Sequence, residues 1–119
     1  MQIVIQQLIH DLATISQRFK VARAGRVARA GRQYDFYKEV QPFVQQVDAH
    51  LQSLQHYQDT ISKQKYFNAQ KLQRMSSLMS EIAVACHQST TSKKLFLDQF
   101  KAVQHDLNYL SQMERDGHV

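Results

Sequence analysis

Apolar side chains recur along this chain at alternating steps of three and four. Ile5, Leu8, Leu12, Ile15, Phe19 and Ala22 form the first such series, which on an α-helix draws one narrow stripe. The spacing predicts a helix over roughly residues 3–23, flanked by Ile9 and Ser16, with Gln6, Gln7, Asp11, Gln17 and Arg18 on its polar side. A second series, Phe36, Val40, Val44, Val47, Leu51, Leu54 and Ile61, predicts a helix over roughly 35–62, with Gln58 in one slot that should be apolar and Phe43 and Tyr57 widening the stripe. Asp35 has the side chain of an N-cap. Pro42, the only proline, either kinks this helix or stands in the first turn of its main part after a short lead-in at 35–40. Leu72, Met75, Met79, Ile82 and Cys86 predict a third helix over about 67–88, with Leu78 and Ala85 beside the stripe. Phe96, Phe100, Val103, Leu107 and Leu110 predict a fourth, capped by Ser92 and ending near Met113.

Helices with one apolar stripe each must bury it against one another. The expected fold is all-α, an up-and-down antiparallel four-helix bundle with a single core. The polar run Ser62-Lys63-Gln64-Lys65 and the break Ser89-Thr90-Thr91-Ser92 are short links, suited to antiparallel neighbours. With 119 residues the chain has the size of one domain, and its 43% apolar and 21% charged residues are a globular balance rather than a disordered one. The single Cys excludes a disulfide scaffold and fits a reducing cytoplasmic setting. No apolar run approaches the ~18 residues of a membrane span, and the Gln-broken start Met1-Gln2-Ile3-Val4-Ile5-Gln6 does not read as a secretory signal.

Charge is concentrated in one place. Arg18, Lys20, Arg23, Arg26, Arg29 and Arg32 put +6 into fifteen residues without an acid, while the remaining nine basic and ten acidic residues leave −1. Within this stretch Val-Ala-Arg-Ala-Gly-Arg at 21–26 is repeated without change at 27–32. Gly25 and Gly31 each cost a helix about 1 kcal/mol relative to Ala, and arginines spaced by three spiral around a helix instead of forming a face. The first copy is therefore expected to end the helix and the second to form a mobile basic loop at about 23–33, which makes one bundle domain over 1–119 with that loop inserted.

Tyr34-Asp35-Phe36-Tyr37, followed by Pro42 and Asp48, resembles the YppE-like family of small bacterial proteins. The resemblance continues through Lys65-Tyr66, Lys93-Lys94-Leu95-Phe96 and Asp98 and covers roughly residues 34–112. The doubled Arg hexad departs from the family pattern. The resemblance implies an up-and-down four-helix bundle and a bacterial cytosolic setting. It implies no activity, since that family has no established biochemical function and no recognised catalytic residues.

Sites for chemistry are scarce. A di-iron bundle needs Glu-x-x-His on two helices, and Glu39, Glu81 and Glu114 are followed three residues on by Pro42, Val84 and Gly117. His10, His50, His56, His87, His105 and His118 contain no i, i+4 pair for a metal clamp. Asp48 and His50, like Cys86 and His87, diverge on a helix. Cys86, Met75 and Met79 read as core, and Phe36 should be core too. No catalytic residue, metal site or cofactor is expected. Tyr34 and Tyr37 either cover the bundle end or form a partner-facing aromatic patch.

The functional expectation is a non-enzymatic protein-binding or accessory module, acting on a protein partner or on a second copy, with Ile9, Phe43 and Tyr57 as candidates for a second apolar face. The alternative is a sequence-independent nucleic-acid accessory protein whose candidate anion-binding residues are Arg23, Arg26, Arg29 and Arg32. Phe19, the one aromatic among these cations, lies on the core stripe, so contacts to nucleic acid would be blind to sequence. If all six cations met phosphates on duplex DNA, log K would fall with log salt at a slope near −5. Duplex binding at low salt should then collapse when Arg23, Arg26, Arg29 and Arg32 are changed to Gln, and equal affinity of the two proteins would remove the alternative.

Overall fold

A helix of 27 residues rises about 40 Å, and α1 (Gln2–Ala28) accordingly runs most of the 48 Å long axis of the molecule. The computed structural model describes residues 1–28 (25–28 through their backbone), 34–64 and 66–116. A π-helical turn (Phe36–Val40) leads into α2 (Gln41–Gln55) and α3 (Gln58–Ser62), followed by α4 (Ala69–Ala85) and α5 (Lys93–Arg115). Sheet is limited, among the described residues, to one isolated bridge between Gln64 and Phe67. α1 packs between α2 and α5, and α4 closes the ring on the far side. The expected antiparallel four-helix bundle is the observed one, its second strut being built from three pieces.

The four apolar series meet on one axis. Leu8, Ile15, Val47, Leu54, Leu72, Met75, Met79, Ile82, Val103 and Leu110 are fully buried there, as is Cys86. Three helix starts are capped by the residue types that favour it: Asp35 accepts from the Lys38 N–H at 2.7 Å, Asn68 from Lys71 at 2.8 Å and Ser92 from Leu95 at 3.3 Å.

The second strut departs from the regular spacing at two places. The Asp35 carbonyl accepts from both Glu39 and Val40, at 2.9 and 3.1 Å, and so opens the π register. Pro42 follows at the first turn of α2, where its missing N–H costs least. The wider turn shifts the faces that the simple series had assigned. Phe36, expected in the core, stands 56% exposed, whereas Phe43, a candidate for an outer apolar face, is buried. Ile9 is half-buried against the core, and Tyr57 sits at the edge of exposure. The second departure lies at His56 and Tyr57, whose N–H groups bond three residues back and end α2. Gln58, the polar residue in an apolar slot, begins α3, and Ile61 returns to the core beyond it.

α1 passes the expected exit near Arg23 and continues through Gly25 to Ala28. A glycine penalty of about 1 kcal/mol in a helix interior is small enough for the helix to run through it. Residues 29–33, which hold the rest of the expected basic loop, lie outside the described residues.

Phe67 is the largest core residue absent from the helical series. It sits in the link before α4, completely buried and stacked on Tyr109 at 6.0 Å. Phe67→Ala is expected to cost about 3–5 kcal/mol, and Phe36→Ala, at an exposed turn, less than about 0.5 kcal/mol. Urea unfolding of the two variants measures the contrast, and similar losses would mean that these two rings are misassigned.

Candidate functional site

Two charged side chains of α1 face inward. Asp11 is only 1% exposed, although its carboxylate could have been solvated one helix face away. It accepts from the Gln46 amide at 2.9 Å and from His50 Nδ1 at 2.5 Å, both on α2. Gln46 and His50 are four apart, so one face of α2 presents both donors to one carboxylate. Two turns further along α1, Arg18 enters the end of the bundle where the π turn, the end of α4 and the start of α5 meet. Its guanidinium donates to the Glu39 carbonyl at 3.2 Å and to His87 Nε2 at 2.8 Å. It also lies over the Phe43 ring at 4.6 Å and the Tyr34 ring at 5.5 Å, contacts that favour a partly desolvated cation.

Arg18 has no proton acceptor of its own, so it must donate to His87 Nε2. A neutral His87 therefore carries its proton on Nδ1, which faces the Cys86 sulfur at 3.4 Å. The thiol in turn reaches the Ala83 carbonyl at 3.4 Å. Tyr34 and Phe43 close over the imidazole edge-on, at 5.0 and 5.7 Å. Burial, and then the Arg18 charge, hold His87 below its ordinary 6.5. Burial pushes the Cys86 thiol up to about 12 against a smaller opposing pull from Arg18. A thiol in that state is a poor nucleophile and a poor metal ligand. Among the described residues no group of three or more His, Cys, Asp or Glu could hold a metal ion, and no helix is long and apolar enough to cross a membrane.

The residues singled out in the sequence are distributed unevenly about this end. Arg23 donates to the Thr91 carbonyl at 3.1 Å, tying α1 to the link before α5. The Arg26 side chain, Arg29 and Arg32 lie outside the described residues. Tyr34 is half-buried on His87, whereas Tyr37 is 78% exposed and meets the exposed Phe36 ring edge-on at 5.2 Å. The turn that carries this pair is held at its start: the Asp35 N–H donates to the Glu39 carboxylate at 3.3 Å while the Asp35 side chain caps Lys38. Sequence reasoning placed Asp11 and Arg18 on the polar side of the first helix and missed that they turn inward. A signal was present, because Val4, Leu8, Asp11, Ile15, Arg18 and Ala22 also step by four and three, a second row that shares residues with the apolar stripe.

The match to known proteins follows this architecture. The family model described as a bacterial domain of unknown function, DUF1798, matches residues 5–113, and the chain belongs to that family. It is similar to the crystal structure of a DUF1798 domain from Staphylococcus aureus, with 26% identity, a TM-score of 0.87, and coverage of 100% of this chain and 96% of that one. It is also similar to the protein yppE from Bacillus subtilis, at 17% identity and a TM-score of 0.82 over 99% and 95% of the two chains. A protein of unknown function from Listeria innocua has the same fold at 16% identity, with a TM-score of 0.70 over the whole of both chains. No curated protein matches it. The YppE-like resemblance read from the aromatic cluster is thereby shown.

The buried imidazole sets a pH dependence. The unfolded chain takes up a proton at His87 near pH 6.5, and the folded chain only at a lower pH. Stability from this group is full above 6.5 and falls as the pH drops below it. Urea midpoints between about pH 5 and 7.5 are expected to fall more steeply for the wild type than for His87→Gln, whose amide oxygen still accepts from Arg18. Parallel slopes would show that His87 is not the source.

Proposed function

We propose that this DUF1798 domain is a non-enzymatic protein-binding module that docks its partner on Phe36 and Tyr37, at the end of the bundle closed by Arg18. The observation that carries this reading is the exposed, edge-to-face aromatic pair on a capped and buttressed turn. Burying an exposed large apolar side chain is worth about 1.5–3 kcal/mol, and rigid aromatics lose little entropy on docking, which is why they anchor interfaces. The reactive side chains nearby favour binding over catalysis. His87 is engaged by Arg18, and the Cys86 thiol is kept protonated at neutral pH. Two cations of the basic segment, Arg18 and Arg23, are engaged inside the bundle's own contacts, which favours a protein partner over a phosphate backbone.

Affinity capture from the source cells at about 0.3 M salt, where exposed charge pairs are largely screened, tests the reading. A partner should be retained by the wild type and recovered at least ~10-fold less well by Phe36→Ser/Tyr37→Ser, a loss equivalent to about 1.4 kcal/mol. Equal recovery by both proteins, or empty captures together with a monomer in light scattering, would remove the proposal. Recovery of nucleic acid that salt releases would favour the basic-segment alternative instead.

A further inference from the structure

A groove of about 340 Å³ runs between the second half of α1 and the first half of α5, and neither Phe36 nor Tyr37 lines it. Its floor is apolar, made by Phe19, Phe96, Leu97 and Phe100. Lys20, Arg23 and Lys93 stand around it, and its lining among the described residues includes no carboxylate. Lys20 and Lys93 are exposed, whereas Arg23 is fixed by its bond to the Thr91 carbonyl and lies over the Phe19 ring at 5.7 Å.

These features select a ligand class. The volume is at the low end of small-molecule sites, which span about 300–1,000 Å³, and a protein interface needs a far broader surface. Three cations without an acid call for an anionic head, and a guanidinium held in place can meet a carboxylate with two parallel hydrogen bonds. The apolar floor calls for an apolar body. Phe19 and Phe96, both buried, stack on each other at 3.8 Å, 12° from parallel, and the half-buried Phe100 stacks one of its faces on Phe96 at 5.9 Å. With at most the outer face of Phe100 left to a ligand, an aliphatic chain lying along Phe100 and Leu97 fits better than a flat aromatic one. We infer that the α1–α5 groove binds a free single-chain aliphatic carboxylate, its head among Lys20, Arg23 and Lys93 and its chain along Phe100 and Leu97. This site is independent of a partner on Phe36 and Tyr37.

Calorimetric titration of the full chain with decanoate tests the inference, with decanol and decyltrimethylammonium as probes that lack the anionic head. Decanoate should saturate at one molecule per chain. Decanol, the ammonium probe and the Lys20→Glu/Lys93→Glu variant should each weaken binding at least ~10-fold. Both substituted lysines are exposed, and Lys20→Gln/Lys93→Gln, which adds no like-charge repulsion, should give an intermediate loss. Phe36→Ser/Tyr37→Ser should bind decanoate as the wild type does, which separates this site from the partner-docking surface. Absence of saturation, equal binding of decanoate and decanol, or unchanged binding by both lysine variants would overturn the inference. So would recruitment to phosphatidylglycerol vesicles without decanoate binding, since the anion would then be a lipid surface.

Discussion

The register of this bundle is constrained by two charged side chains of α1: Asp11, buried in the seam with α2, and Arg18, half-buried where the π turn meets the end of α4. Apolar stripes alone tolerate sliding, because one turn of displacement exchanges one leucine for another. Asp11 and Arg18 do not tolerate it. Asp11 needs the two donors of α2, and Arg18 needs the Glu39 carbonyl, His87 and two ring faces. Stranding the buried Asp11 carboxylate without its donors would cost several kcal/mol, and the half-buried Arg18 would give up two hydrogen bonds and two ring contacts. The two residues lie two turns apart, so one axial position of α1 satisfies both at once. This is the registry role best attested for buried polar groups.

From that register follows the architecture of the loop end. With Arg18 in place, Arg23 comes level with Thr91 and ties α1 to the link that opens α5. Thr91 in turn sends its hydroxyl back to the Ala85 carbonyl at the end of α4. The π turn completes the arrangement by bringing the Glu39 carbonyl to the guanidinium while turning Phe36 outward. The exposed aromatic pair and the cation-rimmed groove thus share a scaffold, although they present different chemistry. His87 and Cys86 are packing and hydrogen-bonding parts of that scaffold, the thiol held protonated and the imidazole held neutral by burial.

Much of the fold is legible in the primary structure. The four apolar series apart from Phe36, the N-caps Asp35 and Ser92 and the turn after Ser62 reappear, since each is a local consequence of periodicity or side-chain chemistry. The places where the reading failed share a cause. Phe36 and Phe43 exchanged environments because the π register changes which residues share a face. Phe67 was overlooked because it is buried from a link, where no helical period applies. Asp11 and Arg18 were set on the polar side because their type, rather than their spacing, was followed.

What the amino-acid order determined unaided is the number of long helices, their inner faces and the concentration of positive charge between Arg18 and Arg32, for all of these are properties of neighbours along the chain. What only the tertiary structure decided is how α1 ends and which polar groups go inside. α1 runs past Gly25 to Ala28 in spite of a local penalty of about 1 kcal/mol. Arg18 and His87 are 69 residues apart in sequence, and the free energy of their contact exists only once three helices and a turn have desolvated them together.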